Sequence, residues 1–270
     1  MKLDGKVLVV TGGGSGIGRE LVLGLLARGA RVAAVDLRPE GLEETARLAE
    51  AGDRLSLHQA DISQRDMIMA LPGQVLASHG QVDGLINNAG IIQQFVPFNA
   101  LDFAAIDRMV SVNLMGTINM TKAFLPELLA RPEAHLANVA SMGGFMPFPG
   151  QSMYGAAKAG VKLLTEALYA ELAETRVGVS VIMPGAIRTQ IMANSGAGDR
   201  AMADSPEAAS QTLPAPEAAR IILDGIEAGR LHILVGKDAG MLWKLWRLMP
   251  TRSIRFIQKQ MARRSAARGH

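Results

Sequence analysis

The stretch "KVLVVTGGGSGIGRE", residues 6–20, decides the fold. Val7 to Thr11 form an unbroken apolar or β-branched run that leads straight into glycines, and a helical pattern opens at Ile17. Such a run, without polar alternation, suits a strand of a parallel sheet covered by helices on both faces. Gly12, Gly16 and Gly18 stand where the strand must turn sharply and let a ligand approach the backbone. The free N–H groups and dipole of the new helix, with Ser15 and Ile17 in the turn, favour a pyrophosphate. The spacing is G-x-x-x-G-x-G rather than G-x-G-x-x-G, so taken alone the cluster reads equally as a plain tight turn.

The same kind of run recurs downstream. "RVAAVD" (31–36), "RLSLHQ" (54–59), "DGLINN" (83–88), "AHLANVA" (134–140), "VGVSVIM" (177–183) and "HILVG" (232–236) read as strands. Helical patterns fall between them near 17–29, 40–51, 64–79, 101–130, 151–175 and 216–228. This alternation predicts an α/β fold with a doubly wound parallel sheet of about seven strands, within one domain over 1–236. The irregular stretch 189–216 is long for a connection and is expected to act as a lid. Residues 237–270 read as a basic, amphipathic extension.

Composition narrows the functional classes. The 270 residues are 49% apolar and 20% charged, an ordinary globular balance, with aromatics at only 4% and 15 Met. There is no cysteine, so disulfides and thiolate metal sites are excluded, and the five histidines show no ligand spacing; no metal is expected. No apolar run approaches membrane-spanning length and the N-terminus does not read as a signal peptide, so a cytoplasmic protein is expected. Residues 237–270 carry nine Lys or Arg against one acid, whereas the rest of the chain has 19 basic and 24 acidic residues. The basic balance belongs to the tail.

Asp36 ends the second strand, 18 residues after Gly18, where an acid accepts hydrogen bonds from an adenosine ribose. A carboxylate there repels the 2′-phosphate of NADP. Arg38 is the opposing signal, but with Ser15 rather than a base inside the turn the expectation is NAD over NADP. Asp61 follows the third strand in position to meet the adenine, and "NNAG" (87–90) closes the fourth strand at the same sheet edge.

Tyr154 and Lys158, in "SMYGAAKAG" (152–160), share one helix face at i and i+4 among small residues. A free tyrosine has a pKa of roughly 10, too high for acid–base work near neutrality, and a neighbouring ammonium lowers it. Ser141, at the end of the fifth strand, offers a hydroxyl to hold a substrate oxygen.

With "TGGGSGIG", Asp36, Asp61, "NNAG", Asn113 in "VSVNLMG", Ser141 in "NVASMGG", "YGAAK" and "PGAIRT" (184–189) in this order, the sequence resembles the short-chain dehydrogenase/reductase family. The resemblance runs from residue 11 to about 189. It implies a Rossmann-type fold and hydride transfer with Tyr154 as general acid/base and Ser141 holding the reacting oxygen. Lys158 would bind the nicotinamide ribose and depress the Tyr154 pKa, and Asn113 would hold a water that links Lys158 to solvent. Gly12, Ser15, Gly16, Ile17, Gly18, Asp36, Leu37, Asp61, Ile62, Asn88, Ala89, Gly90, Pro184, Gly185, Ile187 and Thr189 would line the cofactor. Many family members end in a strand followed by Asp-Gly-Gly that builds a tetramer. Here "LHILVGKDAG" stands instead, so the expectation is a homodimer through the two long helices, with a tetramer as the alternative.

Met142, Phe145, Met146, Phe148 and Met153, with Phe95, Ile191 and Met192 from loops, suggest an apolar substrate pocket for a lipid-like or steroid-like secondary alcohol or its ketone. The bland alternative is ordinary core and lid packing. In the tail, Leu242, Leu245, Trp246 and Met249, then Ile254, Ile257 and Met261 after Pro250, predict two short amphipathic helices. They either pack on the domain or make a peripheral contact with a membrane's inner face; nucleic acid is not an expected partner. A non-catalytic dinucleotide-binding regulator or scaffold is the competing functional class.

Overall fold

The computed structural model describes residues 1–197 and 212–267. Its centre is a parallel sheet in which β1 (Val7–Thr11), β2 (Arg31–Asp36), β3 (Leu55–Gln59), β4 (Gly84–Asn87), β5 (Ala134–Val139), β6 (Val177–Pro184) and β9 (His232–Val235) lie in the order 3-2-1-4-5-6-9. Helices α1 (Gly16–Ala27), α2 (Pro39–Ala49), α3 (Arg65–His79), α5 (Gly116–Leu129), α6 (Ser152–Glu171) and α8 (Ala215–Glu227) flank it. Side chains alternate between the two faces, so Leu8 and Val10 of β1 join one buried cluster while Val9 joins the other. Both halves of each strand must therefore be apolar, which is why the strands read as continuous runs.

The sheet order reverses between β1 and β4, and both strands end at the same edge. At such a switch point the following segments diverge to opposite faces and leave a crevice. Thr11 Oγ1 accepts hydrogen bonds from the N–H groups of Asn88 and Ala89, both at 3.0 Å, and Asn88 Nδ2 donates to Thr11 O at 2.9 Å. These three bonds fix how far apart the glycine turn and the "NNAG" segment stand.

The helical pattern at 101–130 resolves into three pieces. After α4 (Phe103–Met109), Val110–Met115 is a wider π-helical turn, and α5 begins at Gly116. An extra residue in a turn re-aims the side chain it carries, and here that residue set includes Asn113. Between β6 and α8, β7 (Ile187–Arg188) and β8 (Leu213–Pro214) pair over two residues and clip together the ends of the expected lid. A four-residue helix, α7 (Ile191–Asn194), opens that segment. The middle of the expected lid, 198–211, lies outside the described residues.

The tail forms α9 (Lys237–Leu248) and α10 (Pro250–Ala267), broken where Pro250 interrupts the pattern. Leu242 and Ile257 are buried in a third apolar cluster with Phe145, Met146, Val161 and Met183. Asp238 Oδ2 accepts from Ala186 N at 2.8 Å and roots α9 at the end of β6. Trp243 meets Phe145 edge-on at 4.9 Å and lies under the Lys162 and Arg247 cations. The inner faces of the extension thus share a core with the sheet.

His135 in β5 is buried and hydrogen-bonded to Ser180 Oγ at 2.8 Å; burial, with the N-terminal charge adding, holds its pKa down to about 4. An unfolded histidine titrates near 6.5, so between that pH and about 4 only the unfolded chain takes up this proton. Stability is therefore expected to fall as pH drops through that window, by about 2–3 kcal/mol at pH 4.5 from this residue. Urea unfolding at pH 7 and 4.5 should show the gap between the two pH values narrowing by that amount in His135→Gln.

Candidate active site

Each strand of the crevice delivers one group at its C-terminal end. Gly12, at φ +71°, turns the chain out of β1, and a Cβ there would lie 2.8 Å from Asn88 Nδ2. Only glycine fits both demands. The turn is braced from behind: Arg19 Nη2 donates to Gly14 O at 2.6 Å, and Thr45 Oγ1 donates to Gly13 O at 2.8 Å. Arg19 Nε donates in turn to Thr45 Oγ1 at 3.0 Å. Neither residue carries a local signal in the sequence.

Asp36, at the end of β2, accepts from Gly14 N through Oδ2 and from Arg38 N through Oδ1, both at 3.0 Å. A carboxylate offers about four acceptor positions, so two N–H bonds orient it and leave capacity for ribose hydroxyls. Arg38 turns away toward α7: its Nη1 donates to Asn194 Oδ1 at 2.9 Å, and Asn194 Nδ2 donates to Ser15 Oγ at 3.3 Å. Thr189 packs over Gly16. Asp61 Oδ1 closes the turn after β3 by accepting from the N–H and hydroxyl of Ser63. Leu37 is exposed, Ile17 is partly buried, and Ile62 is buried against Gly116. Pro184 ends β6, Gly185 abuts Asp238, and Ile187 lies in β7.

Ser141, Tyr154, Lys158 and Asn113 converge beside this crevice. A methyl on Gly143 would lie 3.3 Å from Tyr154 Cε1 and 3.4 Å from Ser141 Oγ, so ring and hydroxyl face the same small space. A methyl on Gly90 would lie 2.8 Å from Asn113 Oδ1 and 3.1 Å from Lys158 Nζ. The side chains of Asn113 and Lys158 thus border a bare backbone at the end of β4. Asn113 clamps that backbone, accepting from Ile91 N and donating to Ile91 O, both at 2.9 Å. The π turn aims its amide there. Lys158, fully buried, donates through Nζ to Val139 O at 2.9 Å.

The electrostatics differ from expectation at Tyr154. Burial pushes its phenol above the ordinary value, with the neighbouring Ser141 hydroxyl pulling the other way, and Lys158 contributes no lowering. The Lys158 ammonium is instead directed to the Val139 carbonyl, and burial pushes its own pKa down to about 8. Desolvation disfavours the charged form of each group.

Gln93 has no place in the sequence reading. Its buried side chain accepts through Oε1 from Met153 N at 3.0 Å and Tyr154 N at 2.9 Å, and donates through Nε2 to Gly150 O. Gln151 Nε2 donates to Gln93 O. The first turn of α6 has N–H groups with no partner inside the helix, and Gln93 satisfies two of them. It therefore sets the height of Tyr154 relative to β4. A helix-start signal in the sequence lies within a few residues of the helix, whereas this cap comes from 60 residues upstream.

The apolar residues expected around the substrate divide into two groups. Met153, Ile191 and Met192 are partly exposed. Phe145 and Met146 belong to the third apolar cluster, and Met142 and Phe148 pack against it. Phe145 and Phe148 also line a cavity of about 650 Å³ between α6 and α9. That cavity is bounded by Ser152, Gly155, Ala156 and Ala159, on a different helical face from Tyr154 and Lys158. Phe145 and Met146 thus hold core positions, because the tail supplies the apolar surface that covers them.

Burying the Lys158 ammonium costs stability while it stays charged. Its folded pKa of about 8 lies below the unfolded value near 10.5, so the penalty is full below pH 8 and is relieved as pH rises toward 10.5. Lys158→Met should stabilise the cofactor-free protein at pH 7 by up to ~3 kcal/mol, less the lost bond to Val139 O, with the advantage vanishing near pH 10.5. Urea titrations of both proteins at pH 7 and 10 measure this.

Residues 6–200 match the short chain dehydrogenase family model. The chain is 35% identical to the putative oxidoreductase SadH of Mycobacterium tuberculosis, over 96% of each chain. It is 34% identical to the 3-oxoacyl-[acyl-carrier-protein] reductase FabG of Thermotoga maritima, over 70% of this chain and 77% of that one. Among solved structures, a Burkholderia phymatum short chain dehydrogenase/reductase in complex with NAD superposes with a TM-score of 0.81 at 26% identity, covering 92% of this chain and 96% of the other. With a sheet reversing at the glycine turn and a serine, tyrosine and lysine gathered beside it, this chain belongs to the short chain dehydrogenase family of oxidoreductases.

Proposed function

We propose that the protein interconverts a hydrophobic secondary alcohol and its ketone, lipid-like or steroid-like, using NAD. The observation that carries this reading is the gathering of four groups beside the crevice: Ser141 and Tyr154 face each other at Gly143, and Lys158 and Asn113 border the bare backbone at Gly90. A nicotinamide dinucleotide fits the residues present: a positive-φ glycine turn at the start of α1, an oriented Asp36 carboxylate, and a backbone cradle that a Cβ at Gly90 would fill. When bound, it supplies the acceptor or donor of the hydride.

The chain's own groups handle position and proton. Ser141 Oγ accepts from Gly143 N at 3.0 Å and its hydroxyl faces the Tyr154 phenol, so a substrate oxygen entering between them can accept from both. Tyr154 exchanges the proton: its phenol gives it to a ketone oxygen in reduction, and its phenolate takes it from an alcohol in oxidation. The raised phenol pKa keeps Tyr154 protonated at neutral pH. Lys158 binds the ribose, and Asn113, clamped to Ile91, holds the water that links Lys158 to solvent. Asp36, reinforced by an Arg38 that Asn194 draws away, favours NAD over NADP. Met153, Ile191 and Met192 supply apolar contact to the substrate, and the similarity to an acyl-ketone reductase agrees with an apolar chain beside the reacting carbonyl. A cytoplasmic homodimer through α5 and α6 completes the reading. A non-catalytic regulator remains the second reading only if NAD binds without turnover.

The test is NADH formation from alcohols running from short-chain to steroid, with NADP in parallel. Turnover of bulky apolar alcohols is expected with NAD, and Tyr154→Phe should lower it by about 10²–10⁴-fold or more while NAD still binds. Ketone reduction should hold steady near neutrality and fall at alkaline pH as the phenol ionises, with oxidation showing the opposite slope. Turnover confined to small polar alcohols would reject the substrate class.

A further inference from the structure

Helix α9 is apolar on two sides. Its inner stripe, with Ala239 and Leu242 buried and Trp243 and Trp246 packed beside them, joins the third apolar cluster. Its outer stripe continues at helical spacing and, with α10, lines an open groove of about 920 Å³. Met241, Leu245, Leu248 and Phe256 form the apolar part of that groove, and Met241, Leu248 and Phe256 are 59%, 79% and 42% exposed. Lys237, Lys244 and Arg252 rim it. A contiguous exposed apolar strip is unlike the scattered apolar residues of an ordinary surface.

Charge identifies the occupant. No acidic residue follows Asp238 in the chain, and Asp238 itself is engaged with Ala186 N. The hairpin therefore presents basic side chains around an apolar floor, while the rest of the chain is net acidic. A second copy docking hairpin to hairpin by two-fold symmetry would bring Lys237, Lys244 and Arg252 of one copy against the same set of cations on the other. An open strip along a 12-residue helix, about 18 Å long, suits an extended surface better than an enclosed ligand. Among the described residues no helix is long and apolar enough to cross a membrane.

We propose that the α9–α10 hairpin docks on an anionic lipid bilayer, with Met241, Leu248 and Phe256 among the acyl chains and Lys237, Lys244 and Arg252 at the phosphates. Basic amphipathic helices bind in this way, with affinity set by apolar area and by attraction to anionic lipid. Because α9 starts beside Gly185 at the crevice edge, the docked enzyme holds its active site near the lipid phase. Delivery of an apolar ketone from that phase rests on the substrate reading above; the docking itself does not.

The experiment is sedimentation of the full chain with phosphatidylcholine vesicles, with and without about 30% phosphatidylglycerol, at low and high salt. Binding is expected only with phosphatidylglycerol and should weaken in high salt. The triple variant Lys237→Gln, Lys244→Gln, Arg252→Gln should lose about fivefold in partitioning per charge removed. The double variant Met241→Ser, Leu248→Ser should lose at least about tenfold. Thermal unfolding controls for the fold; should the double variant unfold, the triple variant, whose changes are all at exposed cations, decides. Equal binding to both vesicle types, or wild-type binding by the triple variant, overturns the proposal. So does lipid-free self-association that these variants abolish, which would assign the face to a second copy. Vesicle binding without turnover of any alcohol would retain the docking and reject the substrate reading.

Discussion

The separation of β1 and β4 at their C-terminal ends is the constraint on which the site depends. Thr11 Oγ1 holds the N–H groups of both Asn88 and Ala89, and Asn88 returns a bond to Thr11 O. Those bonds replace the ladder where the strands stop pairing and their chains leave for opposite faces. The crevice between them is bounded by backbone, and Gly12 and Gly90 keep it open because a Cβ at either would fill it.

A second chain of buried polar groups carries this registration sideways to the catalytic helix. Asn87 Nδ2 donates to Asn138 Oδ1 at 2.8 Å and to Thr121 Oγ1 at 3.0 Å, and Asn138 Nδ2 donates to Thr165 Oγ1 at 3.0 Å. Buried amides without partners would be costly, so β4, β5, α5 and α6 are tied into one arrangement. Gln93 locks the start of α6 from the other end. Tyr154 is thus positioned by groups from several elements, none adjacent in sequence.

The electrostatic state follows from the same enclosure. Desolvation favours the neutral phenol of Tyr154 and leaves the buried lysine poorly solvated. A partner carrying hydroxyls or positive charge in the crevice changes that balance.

Much was legible in the sequence because its physics is local. Strand runs, the glycine turn, the acid closing β2 and the i, i+4 pairing of Tyr154 with Lys158 each follow from the backbone geometry of one element. The two tail helices and their break at Pro250 were legible for the same reason. Tertiary structure alone decided which long-range partners meet: Gln93 with the first turn of α6, Arg19 and Thr45 behind the glycine turn, and Arg38 with Asn194. It also placed Phe145 and Met146 in the core, since only the folded tail covers them, and split the 101–130 helix with a π turn that no residue spacing announces. Periodicity encodes which face of an element is apolar. What that face meets depends on segments distant in the chain, and those contacts exist only once the sheet has brought the segments together.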